Sequence, residues 1–213
     1  MTSLERELLE TGARRLGIDL TPADLDRFAI YLDELLTWNE VVNLTAITDP
    51  PKIVTDLFLD SLLLYPLLRP GMQVLDIGSG AGFPGLILAL VGPEARFTLV
   101  EARRRKASFL EHLVRRFELT NCRVSGRRLP DRPPLAEAGY DLVCGRAVAE
   151  PEVFCELAGP WVRPGGWLVL MLSTSQPTPG LAPDSDLVLT RAEDKEVPGT
   201  DRLTRLVVFR RRS

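Results

Sequence analysis

The sequence predicts an α/β fold: a mostly parallel, seven-stranded sheet covered by helices, with an antiparallel C-terminal edge and an N-terminal helical cap. Three observations carry that expectation. Apolar runs of strand length recur about every 20 to 25 residues after Gly71, with helical stretches between them, and such alternation implies crossover connections. A glycine-rich turn follows the first run. The last two runs have no helix between them, so they are expected to pair antiparallel at one edge of the sheet.

Residues 1–69 read as the cap and 70–213 as the sheet domain, together one structural unit. In the cap, Thr21-Pro22-Ala23-Asp24 supplies an N-cap, a proline at the first helical position and an acid in the first turn. Phe28, Leu32, Leu35 and Leu36 follow at spacings that share one helical face. A second helix is expected from about Pro51 to Leu67, ending before Arg69-Pro70-Gly71. The strands follow at Gln73–Ile77, Phe97–Val100, Cys122–Val124, Tyr140–Val143 and Trp167–Met171, and the antiparallel pair at Asp186–Thr190 and Leu203–Phe209. The stretch Arg105–Leu113 is the helix after the second strand.

Composition bounds the function. With 45% hydrophobic and 26% charged residues over 213 positions, the chain is a globular domain rather than a disordered, collagenous or membrane-spanning one. A chain of this size buries about 70% of its unfolded surface and needs no disulfide or structural metal. Its three cysteines, Cys122, Cys144 and Cys155, form no C-x-x-C pair, and His112 is its one histidine. That argues against a metal site and for a reducing compartment, and the charged start MTSLERELLE lacks a secretion signal, so the expectation is a cytoplasmic protein. It is also expected to be a monomer.

The net charge of -3 argues against a nucleic-acid partner only if charge is spread evenly. It is not. Lys52, Lys106 and Lys195 are the only lysines among 26 cations, and the arginines cluster at 103–105, 115–116, 127–128 with Arg132, and 210–212. An arginine-rich solvated face explains such clusters, and so does a phosphate-bearing partner, which arginine grips bidentately.

The chemistry concentrates in Val74-Leu-Asp76-Ile-Gly78-Ser-Gly80-Ala-Gly82-Phe83-Pro84-Gly85. Glycines let the chain turn sharply out of a strand and let its backbone approach a ligand. The stretch from Gly80 to Gly85 matches the G-x-G-x-x-G of dinucleotide binders. Yet Asp76 suits a ligand's ammonium group and repels a diphosphate, and Pro84 removes an N–H where a phosphate wants donors. No second substrate domain remains either. S-adenosylmethionine therefore fits better than NAD, with Glu101 at the end of the second strand placed to accept from ribose hydroxyls.

Several stretches resemble one family. They are Trp38-Asn39-Glu-Val-Val-Asn43-Leu-Thr-Ala-Ile47, Leu59-Asp60-Ser-Leu62, the glycine turn, Val100-Glu101 to Lys106, and Gly145-Arg146-Ala-Val-Ala149. In that order they are similar to the RsmG (GidB) family of bacterial 16S ribosomal RNA methyltransferases. The resemblance implies a Rossmann-like S-adenosylmethionine-dependent methyltransferase acting on N7 of a guanine, position 527 of ribosomal RNA, in the 530 loop. Its partner is then 16S ribosomal RNA or the small ribosomal subunit. It implies a cofactor pocket using Gly78, Gly80, Phe83, Glu101, the backbone of Arg128-Leu129, and Arg146. Arg146 doubles as the residue that positions the reaction, with no general base, because guanine N7 has a free lone pair and no proton. Asn39, Asn43, Asp60, Arg103 and Lys106 are the implied RNA contacts.

Each has a plainer reading: Phe83 as core, Arg127-Arg128 as a solvated pair, Arg146 as a surface arginine, and Arg103–Lys106 as cations offset by Glu111 and Glu118. The chain departs from the family pattern at Asp56-Leu57, where a basic residue and histidine are usual, at Leu129, usually an acid, and at Ser173-Thr174, usually containing a lysine. Alternatives are a small-molecule methyltransferase with the cap as a lid, and a cofactor- or RNA-binding relative without transfer activity. NAD-dependent oxidoreduction is the remaining one.

Overall fold

The computed structural model describes residues 1–129, 139–147 and 150–213. Arg132, Val148 and Ala149 lie outside the described residues. Helix α1 (Ser3–Arg15) opens on a capping box, in which the Glu5 carboxylate accepts from the Thr2 N–H at 2.6 Å. Thr21 and Asp24 form a second box at the start of α2 (Pro22–Val42), as the sequence predicts. Asn43 ends α2 in the left-handed conformation with φ 53°.

The expected single helix over Pro51–Leu67 is instead several pieces. A short α3 (Pro50–Ile53) widens into a π-helical turn at Val54–Leu59, narrows to α4 (Asp60–Leu62), and a separate 3-10 turn follows at Tyr65–Leu67. Pro66 explains the break, because proline lacks an N–H and disfavours helical geometry in the residue before it. The π turn carries Asp56, and Asp60 follows it directly.

Strands β1 (Gln73–Ile77), β2 (Arg96–Val100), β3 (Cys122–Ser125), β4 (Tyr140–Arg146) and β5 (Val162–Ser173) are parallel. With β6 (Leu187–Glu196) and β7 (Leu203–Arg211) they form one sheet in the order β3-β2-β1-β4-β5-β7-β6. The last two strands do pair antiparallel, and β7 also inserts beside β5, leaving β6 outermost. Burial explains the choice: Leu206, Val207, Val208 and Phe209 are all buried, whereas most of β6 is exposed and charged, as suits an edge.

Alternation along the strands divides the core. Val74, Phe97, Leu99 and Leu142 pack with the cap, α5 (Gly85–Val91) and α6 (Arg104–Arg116). Leu75, Ile77, Val143 and Leu168 pack on the other face with α7 (Pro151–Ala158). Between β1 and β4 the strand order reverses, and open α/β sheets bind ligands outside the carboxyl ends of strands at such a point.

Candidate functional site

Past β1, the Gly78 and Ser79 N–H groups both donate to the Val100 carbonyl, at 2.8 and 3.0 Å, which fastens the glycine turn to the end of β2. Gly78, Gly80 and Gly82 have φ of 74°, 58° and 103°, a region other residues rarely adopt. Behind the turn, Asp76 is 1% exposed and accepts from the Gly85 N–H at 2.9 Å, so the start of α5 is pinned to the strand beneath it. A Cβ on Gly85 would stand 2.6 Å from that carboxylate oxygen, so only glycine allows the approach. Burial pushes the Asp76 carboxyl up to about 7, against the lowering effect of the Gly85 N–H bond. The sequence suggests Asp76 beside a ligand's ammonium; the structure puts it behind the loop, outside the lining of the cleft.

In front of the turn lies a cleft of about 490 Å³, within the size range of small-molecule sites. Gly78, Gly80, Phe83, Glu101 and Arg146 line it together with Arg103 and Lys106. Glu101 accepts from the Gly80 N–H at 3.0 Å and from the Arg103 N–H at 2.7 Å, so the acid also holds the loop. Phe83 serves both readings: it lines the cleft and stacks on Tyr31 at 5.8 Å. The opposite wall is a strap, Leu44–Ile47. Asn39 accepts from the Thr45 N–H at 2.9 Å, Asn43 turns the chain, and the Lys106 ammonium donates to the Leu44 carbonyl at 3.1 Å. Asn39, Asn43 and Lys106 thus build this wall, whatever else they touch. Arg128 is exposed and Leu129 packs on the second core; neither lines this cleft, and the segment after them is outside the described residues.

These residues fit a nucleoside with a charged tail. Bare loop backbone faces the cleft at Gly80, where a Cβ would meet nothing nearer than 3.8 Å, an apolar ring stands at Phe83, and an acid stands at the end of β2.

A second cleft, about 510 Å³, shares Arg146 and Ala147 with the first. Ser173, Thr174, Gln176, Arg202 and Thr204 line it. Arg146 is held between them: its Nε lies 3.0 Å from Asp60, and its Nη2 donates to the Asp56 carbonyl. Burial lowers the Arg146 pKa, and Asp60 opposes that shift. Asp60 is 1% exposed and also receives Arg202 at 2.9 Å and the Thr204 hydroxyl. Asp60, expected as an RNA contact, lines this second cleft with little of its surface exposed, and its visible role is to set the two arginines.

Sequence reasoning missed Arg202. It sits in the turn before β7 with no motif around it, and only the insertion of β7 beside β5 carries it to the site. Two of the three departures from the family pattern, Asp56-Leu57 and Ser173-Thr174, also lie here. The Asp56 carboxylate lies 3.6 Å from Arg202, Leu57 lines the first cleft, and Ser173 lines the second.

Arg103 caps α6, whose first turn holds Arg104, Arg105 and Lys106 and no acid. Cations there oppose the helix dipole, which favours negative charge at an N-terminus. No ion pair joins these four residues to an acid among the described residues, including Glu111 and Glu118. No helix among the described residues is long and apolar enough to cross a membrane.

Comparison with known proteins agrees with this geometry. Among solved structures, a SAM-dependent methyltransferase from Aquifex aeolicus matches with a TM-score of 0.58 and 21% identity, over 79% of this chain and 96% of that one. A SAM-dependent O-methyltransferase from Thermotoga maritima matches with a TM-score of 0.55 and 16% identity, over 86% and 71%. The fold is therefore the Rossmann-like fold of S-adenosylmethionine-dependent methyltransferases. In sequence, the chain is 36% identical to a ribosomal RNA small subunit methyltransferase G from Desulfitobacterium hafniense, over 90% of this chain and 81% of the relative. It is 32% identical to one from Neisseria meningitidis, over 97% and 99%. The GidB family, described as rRNA small subunit methyltransferase G, matches residues 24–208, and with that match the chain belongs to this family of methyltransferases.

Proposed function

We propose that the protein transfers a methyl group from S-adenosylmethionine to N7 of a guanine in the 530 loop of 16S ribosomal RNA, in the cytoplasm. The observation that carries this is the pair of clefts meeting at Arg146, with Arg103 and Lys106, which form no ion pair among the described residues, lining the first. The first cleft takes the cofactor and the second the target nucleotide. When bound, the cofactor supplies an electrophilic methyl on a sulfonium.

The protein's part is then positioning. N7 carries an in-plane lone pair and no proton, so no side chain need act as base. Orientation of two reactants is itself worth several powers of ten in rate. Arg146 is suited to orienting. A guanidinium has five N–H donors, its Nε and Nη2 are spent on Asp60 and Asp56, and its Nη1 has no partner among the described residues. That leaves a fork for guanine O6, beside N7, or for the cofactor's carboxylate. Arg103–Arg105 supply charge for RNA phosphates.

Incubation with radiolabelled S-adenosylmethionine and ribosomal RNA from a strain lacking the gene tests the proposal. Label recovered as 7-methylguanine in small-subunit RNA is the expected result. Cofactor binding with label in no RNA base would sink it.

A further inference from the structure

Resting on that cofactor reading, we propose that Tyr31, on helix α2 of the cap, is a positioning residue for the cofactor: its hydroxyl fixes the Ala81 carbonyl, and with it the glycine turn.

Tyr31 is fully buried. Its hydroxyl donates to the Ala81 carbonyl at 2.6 Å, and its ring stacks on the cleft-lining Phe83, tilted by 8° at 5.8 Å. Burial, with a smaller contribution from Asp76, holds its pKa well above the ordinary tyrosine value, so the hydroxyl remains a donor at any working pH. The fit is close: a Cβ on Gly82 would overlap the Tyr31 hydroxyl.

The bond matters because of what surrounds Ala81. Gly80 and Gly82 flank it, and glycine visits positive and negative φ with similar ease. The Ala81–Gly82 peptide is held from both ends, its N–H donating to the Ser79 carbonyl at 2.7 Å and its carbonyl accepting from Tyr31, and losing either bond lets it turn more easily. Glu101 holds the Gly80 N–H, on the sheet side. Tyr31 holds the Ala81 carbonyl, from the cap side. Remove the phenol oxygen and the Ala81 carbonyl becomes a buried acceptor without its partner, at a cost relieved by turning the peptide. The backbone atoms that face the cofactor turn with it. The cap is thus the rear support of the cofactor site as well as part of its outer wall.

Tyr31→Phe keeps the ring and removes the oxygen. Phe28→Leu is the control, since the Phe28 ring packs at 5.2 Å on Phe58, which is itself 5.4 Å from Tyr31, and Phe28 makes no ring contact with Phe83 among the described residues. Calorimetry with S-adenosylhomocysteine is expected to show about tenfold weaker binding for Tyr31→Phe. The KM for cofactor rises alike, and the KM for RNA stays the same. Phe28→Leu lowers the melting temperature and leaves the dissociation constant unchanged. Amide exchange in the ligand-free protein gives an independent measure: protection at Gly80 and Gly82 falls in Tyr31→Phe alone. Unchanged affinity in Tyr31→Phe, or losses in both variants that track stability, overturns the proposal. If the wild-type protein binds no S-adenosylhomocysteine, the cofactor reading fails first, a result distinct from either.

Discussion

A buried acid can hold or be held, and two aspartates here show the difference. Asp60 is paired with both Arg146 and Arg202, and removing one partner of a buried pair usually costs up to about 3–5 kcal/mol of stability. Because Arg146 also orients the reactants where the two clefts meet, Arg146→Ala is expected to lower kcat/KM by at least about 100-fold. Arg146→Lys should recover little, because an ammonium cannot replace a planar fork, and single-turnover assays of both variants check this. Asp76 pairs with no cation among the described residues, and burial raises its pKa from the ordinary 3.8 to about 7. The folded state then binds more protons than the unfolded one between those values, so this group's contribution falls as pH rises through that window, by up to about 1.4 kcal/mol per pH unit. Denaturant titrations from pH 4 to 8 should show Asp76→Asn, which can still accept from Gly85, with a flatter profile than the wild type. A parallel profile would mean that Asp76 is ionised throughout.

Helices and turns carry the next set of consequences. The four cations at the start of α6 oppose its dipole, which is tolerable if a polyanion arrives. Affinity for ribosomal RNA should fall steeply with salt, and each phosphate contact removed by Arg103→Ala or Arg104→Ala should reduce the log–log slope by about 0.7 for single-stranded RNA. An unchanged slope would return these residues to a solvated face. At the turn into α5, Gly85→Ala forces a Cβ against Asp76 and Leu99, and overpacking of this kind typically costs about 1–3 kcal/mol, readable as a lower denaturation midpoint. The glycine turn was legible in the sequence because its residue types have few other uses. The break before Pro66 was missed, because the apolar pattern carries the expected helix on to Leu67 although the proline inside it marks a break. The π turn at Val54–Leu59 was not legible, since no residue in it marks the extra width.

For the whole molecule, one buried cluster runs from Leu9 in α1 through Phe58 to Val208 in β7. Cap and sheet share it, so unfolding should be a single transition by both fluorescence and circular dichroism. A fragment of residues 70–213 should not fold alone, having lost the partners of Leu86, Phe109 and Leu113. Two separated transitions would show the cap to be an independent unit.

By itself the sequence determined the alternation of strands and helices, the glycine turn, the acid at the end of β2 and the family. All of these are local patterns, set by side-chain periodicity and backbone freedom within a dozen residues. Only the tertiary structure decided that Asp60 is buried beneath arginines, that Arg202 comes to the site from the far end of the chain, and that Tyr31 reaches Ala81 from the cap. Those contacts, Arg146 to Asp60, Arg202 to Asp60 and Tyr31 to Ala81, span 86, 142 and 50 residues, and no local pattern encodes a partner at that distance. Their positions follow from which apolar faces the chain could bury together, and that is a property of the packed whole.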